Sequence, residues 1–187
     1  MKKIFLDCGA NIGQSVAAWY ASNDDAAEYE IYSFEASNKL QRVLKENLKK
    51  YDNVTIINKV VWSHSKGVQF RDLGNESSST EPDKMSGGSV RFNTPVFPSL
   101  DLSKFIKDNF SKEDQIILKV DIEGGEYHLI PHLIKTDAMS YVNEIYMEAH
   151  AAKLSSRNIE DDFGLIDMIE NEGLEPMIWT ADGVLES

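Results

Sequence analysis

The first thirteen residues of this chain constrain its fold more than any other part of it. An apolar run over residues 3–8, which includes Asp7, meets a glycine turn over residues 9–13, and a helical pattern follows at once. This is how an α/β protein begins when its first loop holds a nucleotide-like ligand. A second apolar run, residues 30–34, ends at Glu35, roughly 20 residues past the last glycine, where a ribose-binding carboxylate is expected. Together these features predict a protein that binds an adenosine-containing molecule.

The spacing of the glycines indicates which adenosine compound is bound. A dinucleotide fingerprint has three glycines, and the middle one lets the backbone approach a pyrophosphate. Here Asn11 and Gln14 stand at the second and third positions. The spacing Asp7-x-Gly9-x-x-x-Gly13 suits S-adenosylmethionine, which has a ribose and an amino-acid head but no phosphate. An NAD(P)-dependent oxidoreductase and a non-catalytic adenosine-binding or assembly protein are the alternatives.

Length and charge narrow the class of protein. The 187 residues suffice for one domain, which we assign to residues 1–187. A formal net charge of −12 argues against nonspecific binding to nucleic acid or to an anionic membrane. No apolar stretch is long enough to span a bilayer. Cys8 is the single cysteine, so no internal disulfide is possible, and we expect a small buried residue rather than a nucleophile. These observations favour a cytoplasmic protein and leave its oligomeric state open.

Apolar runs alternate with helical patterns along the chain, which predicts parallel βαβ units. The predicted strands are 3–8, 30–35, 54–62, 67–73, 89–97, 115–122, 141–149, 175–180 and 184–187. The predicted helices after the first are 39–50, 100–110, 126–135 and 160–172. The polar segment 74–88 is either a lid over the site or a mobile connection. A turn at residues 181–183 suggests a terminal hairpin.

Charged side chains follow two of the predicted strands, at the sheet edge where ligands bind in open α/β folds. Strand alternation places Lys119, Asp121 and Glu123 on one side of strand 115–122. Buried charges are costly unless they are paired. One interpretation is a structural lysine–carboxylate pair, with Glu126 in the first turn of the next helix. The other, which we favour, is an acidic cluster that faces the substrate or cofactor.

The strand 141–149 is followed by a second polar group. Glu148 and His150 lie on one face, and His150 has the intrinsic pKa of a general base. With the acids of the neighbouring strand, a site for Mg, Mn or Fe is conceivable. No ligand-spacing signature supports it, so no metal is predicted. The remaining histidines, His64, His128 and His132, are expected at the surface or in packing contacts.

Four segments of the chain together resemble a known family. They are Asp7-Cys8-Gly9-Ala10-Asn11-Ile12-Gly13, Ser33-Phe34-Glu35-Ala36, Lys119-Val120-Asp121-Ile122-Glu123-Gly124-Gly125-Glu126 and Glu148-Ala149-His150. In this order they are similar to the FkbM-type methyltransferases, with Ala36 where proline is usual. The resemblance implies a class I methyltransferase (Rossmann-like) fold: a three-layer α/β/α sandwich around a seven-stranded, mostly parallel sheet with an antiparallel strand from the terminal hairpin. It also implies S-adenosylmethionine-dependent O-methylation of a hydroxyl on a sugar, a glycan or a related small molecule.

The resemblance also suggests roles for the site residues. Asp121 is the first candidate for the base that deprotonates the acceptor, and His150 is the second. Glu123 and Glu148 would orient the acceptor hydroxyls or His150, with Lys119 beside them. Glu35 would hold the ribose diol. The other expected cofactor-binding residues are Asp7, Gly9, Ala10, Asn11, Gly13, Ala36 and Asp121.

Overall fold

The computed structural model describes residues 1–87 and 89–179, together with the backbone of residues 185 and 186. The strands are β1 (Lys3–Cys8), β2 (Tyr29–Phe34), β3 (Val54–Ile57), β4 (Val60–Trp62), β5 (Val68–Gln69), β6 (Val96–Phe97), β7 (Ser99–Asp101), β8 (Gln115–Val120), β9 (Glu144–Met147), β10 (Pro176–Trp179) and β11 (Leu185–Glu186). The helices are α1 (Gln14–Ser22), α2 (Gln41–Leu48), α3 (Leu102–Asn109), α4 (Glu126–Lys135) and α5 (Ile159–Asn171).

The main sheet has the strand order β11–β10–β9–β8–β1–β2–β3. Every neighbouring pair in it is parallel except β10 with β11. Cys8 at the end of β1 is in register with Phe34 of β2 and with Val120 of β8. The carboxyl ends of the three central strands therefore meet at one edge. The mixed α/β architecture with a mostly parallel central sheet is confirmed, whereas the predicted turn at residues 181–183 lies outside the described residues.

Each face of the sheet is covered by an apolar core. Ile4, Leu6 and Cys8 of β1 belong to a cluster that includes side chains of α3, α4 and α5. The intervening Phe5 points to the other face, where its ring stacks on Trp19 of α1 with centroids 4.7 Å apart. Full burial of one such large apolar side chain contributes about 1.5–3 kcal/mol. A strand covered on both faces reads as a continuous apolar run, which is why β1 is recognisable in the sequence.

The prediction of one strand over residues 54–62 is wrong, because these residues form two separate strands, β3 and β4. β3 stays in the main sheet, whereas β4 leaves it and pairs in parallel with β7. Asn58 lies at the break, and its side-chain amide donates hydrogen bonds to the backbone oxygens of Glu35 (2.9 Å) and Ala36 (3.1 Å). Asn58 thus ties the chain to the end of β2, and β4 is directed over the carboxyl edge of the sheet.

The predicted strands 67–73 and 89–97 are much shorter in the structure. Among the described residues of these two runs, strand pairing is confined to β5 and β6, which are antiparallel and two residues long each. Between them, residues 74–87 make specific contacts, and Ser79, Glu81 and Lys84 are buried. Isolated bridges join Arg71 to Ser79 and Lys84 to Leu154. The segment is therefore packed against the rest of the domain in this structure, and its opening as a lid stays a prediction.

The other elements follow the sequence pattern closely. α4 has the predicted bounds, 126–135, although it contains Pro131. β9 is shorter than predicted at both ends: residue 141 belongs to a 3₁₀ turn, and the strand covers only residues 144–147. Cys8 is fully buried, and burial raises the pKa of its thiol, which agrees with the packing role that was expected. Within the described part of the chain, none of the helices has the length and apolarity needed to cross a bilayer.

Candidate active site

The glycine turn after β1 forms one wall of the site. The backbone amides of Gly9 and Ala10 both donate to the carbonyl oxygen of Phe34, at 3.0 and 2.9 Å. Gly9 has φ +89°, and a Cβ there would lie 1.8 Å from the carbonyl oxygen of Asp121. Any other residue would push the loop away from the end of β8. Gly13 also has positive φ, and its missing Cβ leaves room for Leu48 of α2.

Glu35 links the end of β2 to this turn. Its Oε2 accepts a hydrogen bond from the backbone amide of Asn11 (2.8 Å), and its Oε1 accepts one from the amide of Ser37 (2.6 Å). The side chain is almost entirely removed from water. Burial raises the pKa of Glu35 to about 7, although the two backbone amides favour the charged form. Glu35 therefore changes protonation state close to neutral pH.

Lys119 links the carboxyl ends of β1 and β8 beneath the glycine turn. Its fully buried Nζ donates to the carbonyl oxygen of Gly9 (2.8 Å) and lies 3.4 Å from Asp7 Oδ1 and 3.2 Å from Asp121 Oδ2. Burial raises the pKa of Asp7, whereas the Lys119 ammonium opposes that rise. The structural lysine–carboxylate pair, one of the two interpretations of this strand, is thus present between Lys119 and Asp7. The same lysine also holds Asp121 in position.

His150 lies at the end of β9, surrounded by carboxylates. Its Nδ1 is 3.0 Å from Glu126 Oε1, and its Nε2 is 3.2 Å from Glu148 Oε1. Asp121 and Glu123 each place an oxygen 3.7 Å from the same Nε2. Burial by itself would lower the pKa of His150, but the hydrogen bond to Glu126 and the other carboxylates raise it to about 10. The imidazole is therefore protonated at neutral pH when only the protein surrounds it.

Glu123 connects this cluster to residues 74–87 between β5 and β6, which we call the inserted segment. Its backbone has φ +57°, and its carbonyl oxygen accepts a hydrogen bond from the Ser79 hydroxyl at 2.7 Å. One carboxylate oxygen pairs with the buried Lys84, and the other lies 2.9 Å from Lys153 Nζ. No pattern in the sequence pointed to Lys84, because its partner is 39 residues away in the chain.

A cavity of about 200 Å³ opens between these groups. The predicted site residues that line it are Gly9, Asn11, Glu35, Ala36, Lys119, Asp121, Glu123 and Glu148. Asp7, Ala10, Gly13 and His150 do not line the cavity and lie behind its wall. Residues that sequence reasoning missed complete the lining, among them Lys59, Trp62, Asn75, Glu76, Ser78, Thr80 and Lys153. Most of these belong to β4 and the inserted segment, which reach the cavity only after the chain has left the main sheet.

The remaining histidines are not part of the cavity lining. His132 Nε2 is 3.0 Å from Asp101 Oδ1, beside the first turn of α3. The ring of His128 packs near that of Trp62, with centroids 5.0 Å apart. His64 accepts a hydrogen bond from the backbone amide of Lys66. These are packing and surface contacts, as expected.

A mostly parallel sheet with a glycine turn after its first strand and a carboxylate after its second is typical of one class, the α/β proteins that bind a nucleoside-like ligand at the carboxyl edge of the sheet. The comparison with family models is more specific. The model of the methyltransferase FkbM domain matches residues 7–174, and this chain belongs to that family. The resemblance found in the sequence is thereby confirmed, and the protein is a methyltransferase at the level of its family. A search of curated proteins finds no significant match.

Proposed function

We propose that this protein is an S-adenosylmethionine-dependent O-methyltransferase with the class I layout, and that its acceptor is a hydroxyl of a sugar, a glycan or a related small molecule. The observation that carries the proposal is that a single cavity has Glu35 and the glycine turn on one wall and Asp121 on another. Glu35 and the glycine turn suit the nucleoside end of the methyl donor. Asp121 suits the oxygen that receives the methyl group.

The residues of the first wall fit the methyl donor. The absence of a Cβ at Gly9 keeps the turn against the end of β8, and Glu35 offers a carboxylate to ribose hydroxyls. Asn11 lines the cavity at the position where a dinucleotide would need bare backbone next to its pyrophosphate. When bound, S-adenosylmethionine supplies an electrophilic methyl group on a sulfonium.

Asp121 is the group that we assign to proton removal. Its side chain is about one-fifth exposed and lines the cavity, and Lys119 fixes one of its oxygens. An alcohol is a poor nucleophile until its proton is taken, so a carboxylate within reach of the acceptor increases the rate. The raised pKa of His150 removes it from this role, because a protonated imidazole cannot accept the proton.

Alignment and exclusion of water provide the remaining rate enhancement. Holding the acceptor and the donor in line contributes on the order of 7–11 kcal/mol to such reactions. Ser78 and Thr80 of the inserted segment line the cavity, so we propose that residues 74–87 form a lid. Trp62 offers an aromatic surface, and the carboxylates of Glu123 and Glu148 offer hydrogen-bond acceptors. This combination suits a hydroxyl-rich acceptor.

Two measurements test the proposed function. Calorimetry with S-adenosylhomocysteine and with NAD should detect binding of the first only, because the loop accommodates a nucleoside without a pyrophosphate. A panel of saccharides incubated with methyl-labelled donor should then yield a labelled product, and Asp121→Asn should abolish its formation while leaving S-adenosylhomocysteine bound. Binding of NAD in preference to S-adenosylhomocysteine would contradict the assignment. Full turnover by Asp121→Asn would refute the role of that residue.

A further inference from the structure

Glu126 fixes the orientation of the buried His150 ring. Its Oε1 accepts from the amide of Ile122 (2.7 Å), and its Oε2 accepts from the amide of Gly124 (2.8 Å). The same Oε1 is 3.0 Å from His150 Nδ1, and neither residue is appreciably exposed. A carboxylate held in this way accepts a hydrogen from Nδ1, so Nε2 is the nitrogen left to bind something else. Carboxylate–histidine pairs of this kind commonly orient imidazoles that bind metals.

The Nε2 atom of His150 has no hydrogen-bond partner among the residues that the structure describes. It is buried and faces carboxylate oxygens of Glu148 at 3.2 Å, Asp121 at 3.7 Å and Glu123 at 3.7 Å. A nitrogen lone pair surrounded by anionic oxygens is strongly unfavourable unless positive charge lies between them. The geometry therefore requires either a proton on Nε2 or a cation.

The lysines around the cluster do not fill this position. Lys84 and Lys153 bind Glu123, and Lys119 binds Asp121. Lys153 also lies near Glu148, but its Nζ is 3.8 Å from Oε1, farther from that oxygen than His150 Nε2 is. Glu126, on the Nδ1 side of the ring, has no lysine partner among the described residues. Asp121, Glu123, Glu126 and Glu148 thus share three ammonium groups, so a net negative charge remains around the ring unless Nε2 carries a proton or faces a cation.

We propose that Asp121, Glu123, Glu148 and His150 form a site for a divalent cation. A cation bound at about 2.1 Å separates neighbouring ligands by about 3 Å, and the Nε2–oxygen distances of 3.2–3.7 Å approach this spacing. The ligand atoms of Asp121, Glu123 and His150 all lie within 4.8 Å of one another. Three carboxylates with one imidazole suit Mn²⁺ or Fe²⁺ better than a soft metal.

The position of the site gives the cation a role that rests on the proposed function. The three carboxylate ligands line the cavity, whereas His150 holds the cation from behind. Four protein ligands would leave room in the coordination shell for an acceptor hydroxyl from the cavity. A hydroxyl bound there would pass its proton to Asp121 more readily, because the cation would stabilise the alkoxide.

Mn²⁺ itself is the probe that tests the site. The full chain, freed of metal with EDTA, is titrated with MnCl₂, and the free ion is followed by electron paramagnetic resonance. We expect one Mn²⁺ to bind per chain. The variants Glu148→Gln and His150→Gln should each weaken binding by about tenfold or more. Glu113→Gln, which removes an exposed carboxylate away from the cavity, serves as the matched control and should bind as the unaltered chain does.

Folding and function are separated from the metal in the same preparations. Because His150 is buried, the folding of His150→Gln is checked by circular dichroism. If His150→Gln unfolds, Glu148→Gln still tests the site, because the Glu148 side chain is only half-buried. Absence of Mn²⁺ binding, or equal weakening in Glu113→Gln, overturns the proposal and leaves a proton on Nε2. Calorimetry with S-adenosylhomocysteine is done alongside. Cofactor binding without Mn²⁺ refutes only the cation site, and Mn²⁺ binding without cofactor refutes only the proposed function.

Discussion

Glu35 should make cofactor binding depend on pH. Burial raises the pKa of its carboxyl group to about 7 in the ligand-free protein. A ribose hydroxyl donates its hydrogen bond best to the ionised carboxylate, so ligand binding must draw the group into its charged form. The protonated fraction therefore competes with binding. We expect the affinity for S-adenosylhomocysteine to fall as the pH is lowered through neutrality.

The magnitude follows from the pKa. About nine-tenths of Glu35 is ionised at pH 8 and about one-tenth at pH 6, so the affinity should fall about tenfold between them, or about 1.4 kcal/mol. Near pH 7, binding should release about half a proton. Calorimetry in two buffers with different ionisation enthalpies measures both quantities at once.

Glu35→Gln should remove this pH dependence. The amide does not titrate, and it retains one oxygen to accept from either Asn11 or Ser37. One of the two backbone amides loses its acceptor, which should cost about 1–3 kcal/mol of stability, so unfolding is measured separately. Glu46→Gln, on the exposed face of α2, is the control. An affinity that is flat from pH 6 to 8, or an equal slope in Glu35→Gln, would refute the reasoning.

The remaining predictions concern stability. Gly9→Ala places a Cβ 1.8 Å from a carbonyl oxygen at a residue with positive φ, so it should lower the free energy of unfolding in urea by more than about 2 kcal/mol. The control Gly164→Ala, whose Cβ meets nothing within 4 Å, should not destabilise the protein. Equal losses in the two variants would contradict the close approach at Gly9. Lys119→Met leaves buried acids unpaired and should cost about 3–5 kcal/mol; a loss below about 1 kcal/mol would contradict the pairing. Lys84→Met should accelerate hydrogen exchange in residues 74–87, whereas the surface variant Lys66→Met should not; unchanged exchange would show that the Lys84 pair does not hold this segment.

Local signals were sufficient to predict the first half of the site. β1, the glycine turn and Glu35 are consecutive features, and each has a physical requirement that can be read from neighbouring residues. β8 was recognised because it is apolar on both faces, although it ends at Val120 and not at residue 122. There the amide of Ile122 turns to donate to Glu126 Oε1. That hydrogen bond joins residues only four apart in the chain, but strand alternation does not reveal it.

The second half of the site depends on contacts between distant parts of the chain. The break at Asn58 depends on backbone oxygens at the end of another strand, so an apolar run with one polar interruption reads as continuous. Lys84 lies in a polar segment that resembles a solvated loop, and only its pairing with Glu123 shows that it is buried. The sequence pattern indicates whether a residue can be buried, but it does not indicate which charged residue will pair with it.

Electrostatics explains why the inserted segment packs over the site. Glu123 brings a carboxylate to a place already occupied by those of Asp121, Glu126 and Glu148, and this concentration of negative charge is unfavourable out of water. Lys84 from the inserted segment and Lys153 from the 3₁₀ turn that follows β9 offset it. The insert is therefore held by the charge of the site itself. Any change in that charge, such as the loss of one carboxylate or the arrival of a cation, should alter how tightly residues 74–87 cover the cavity.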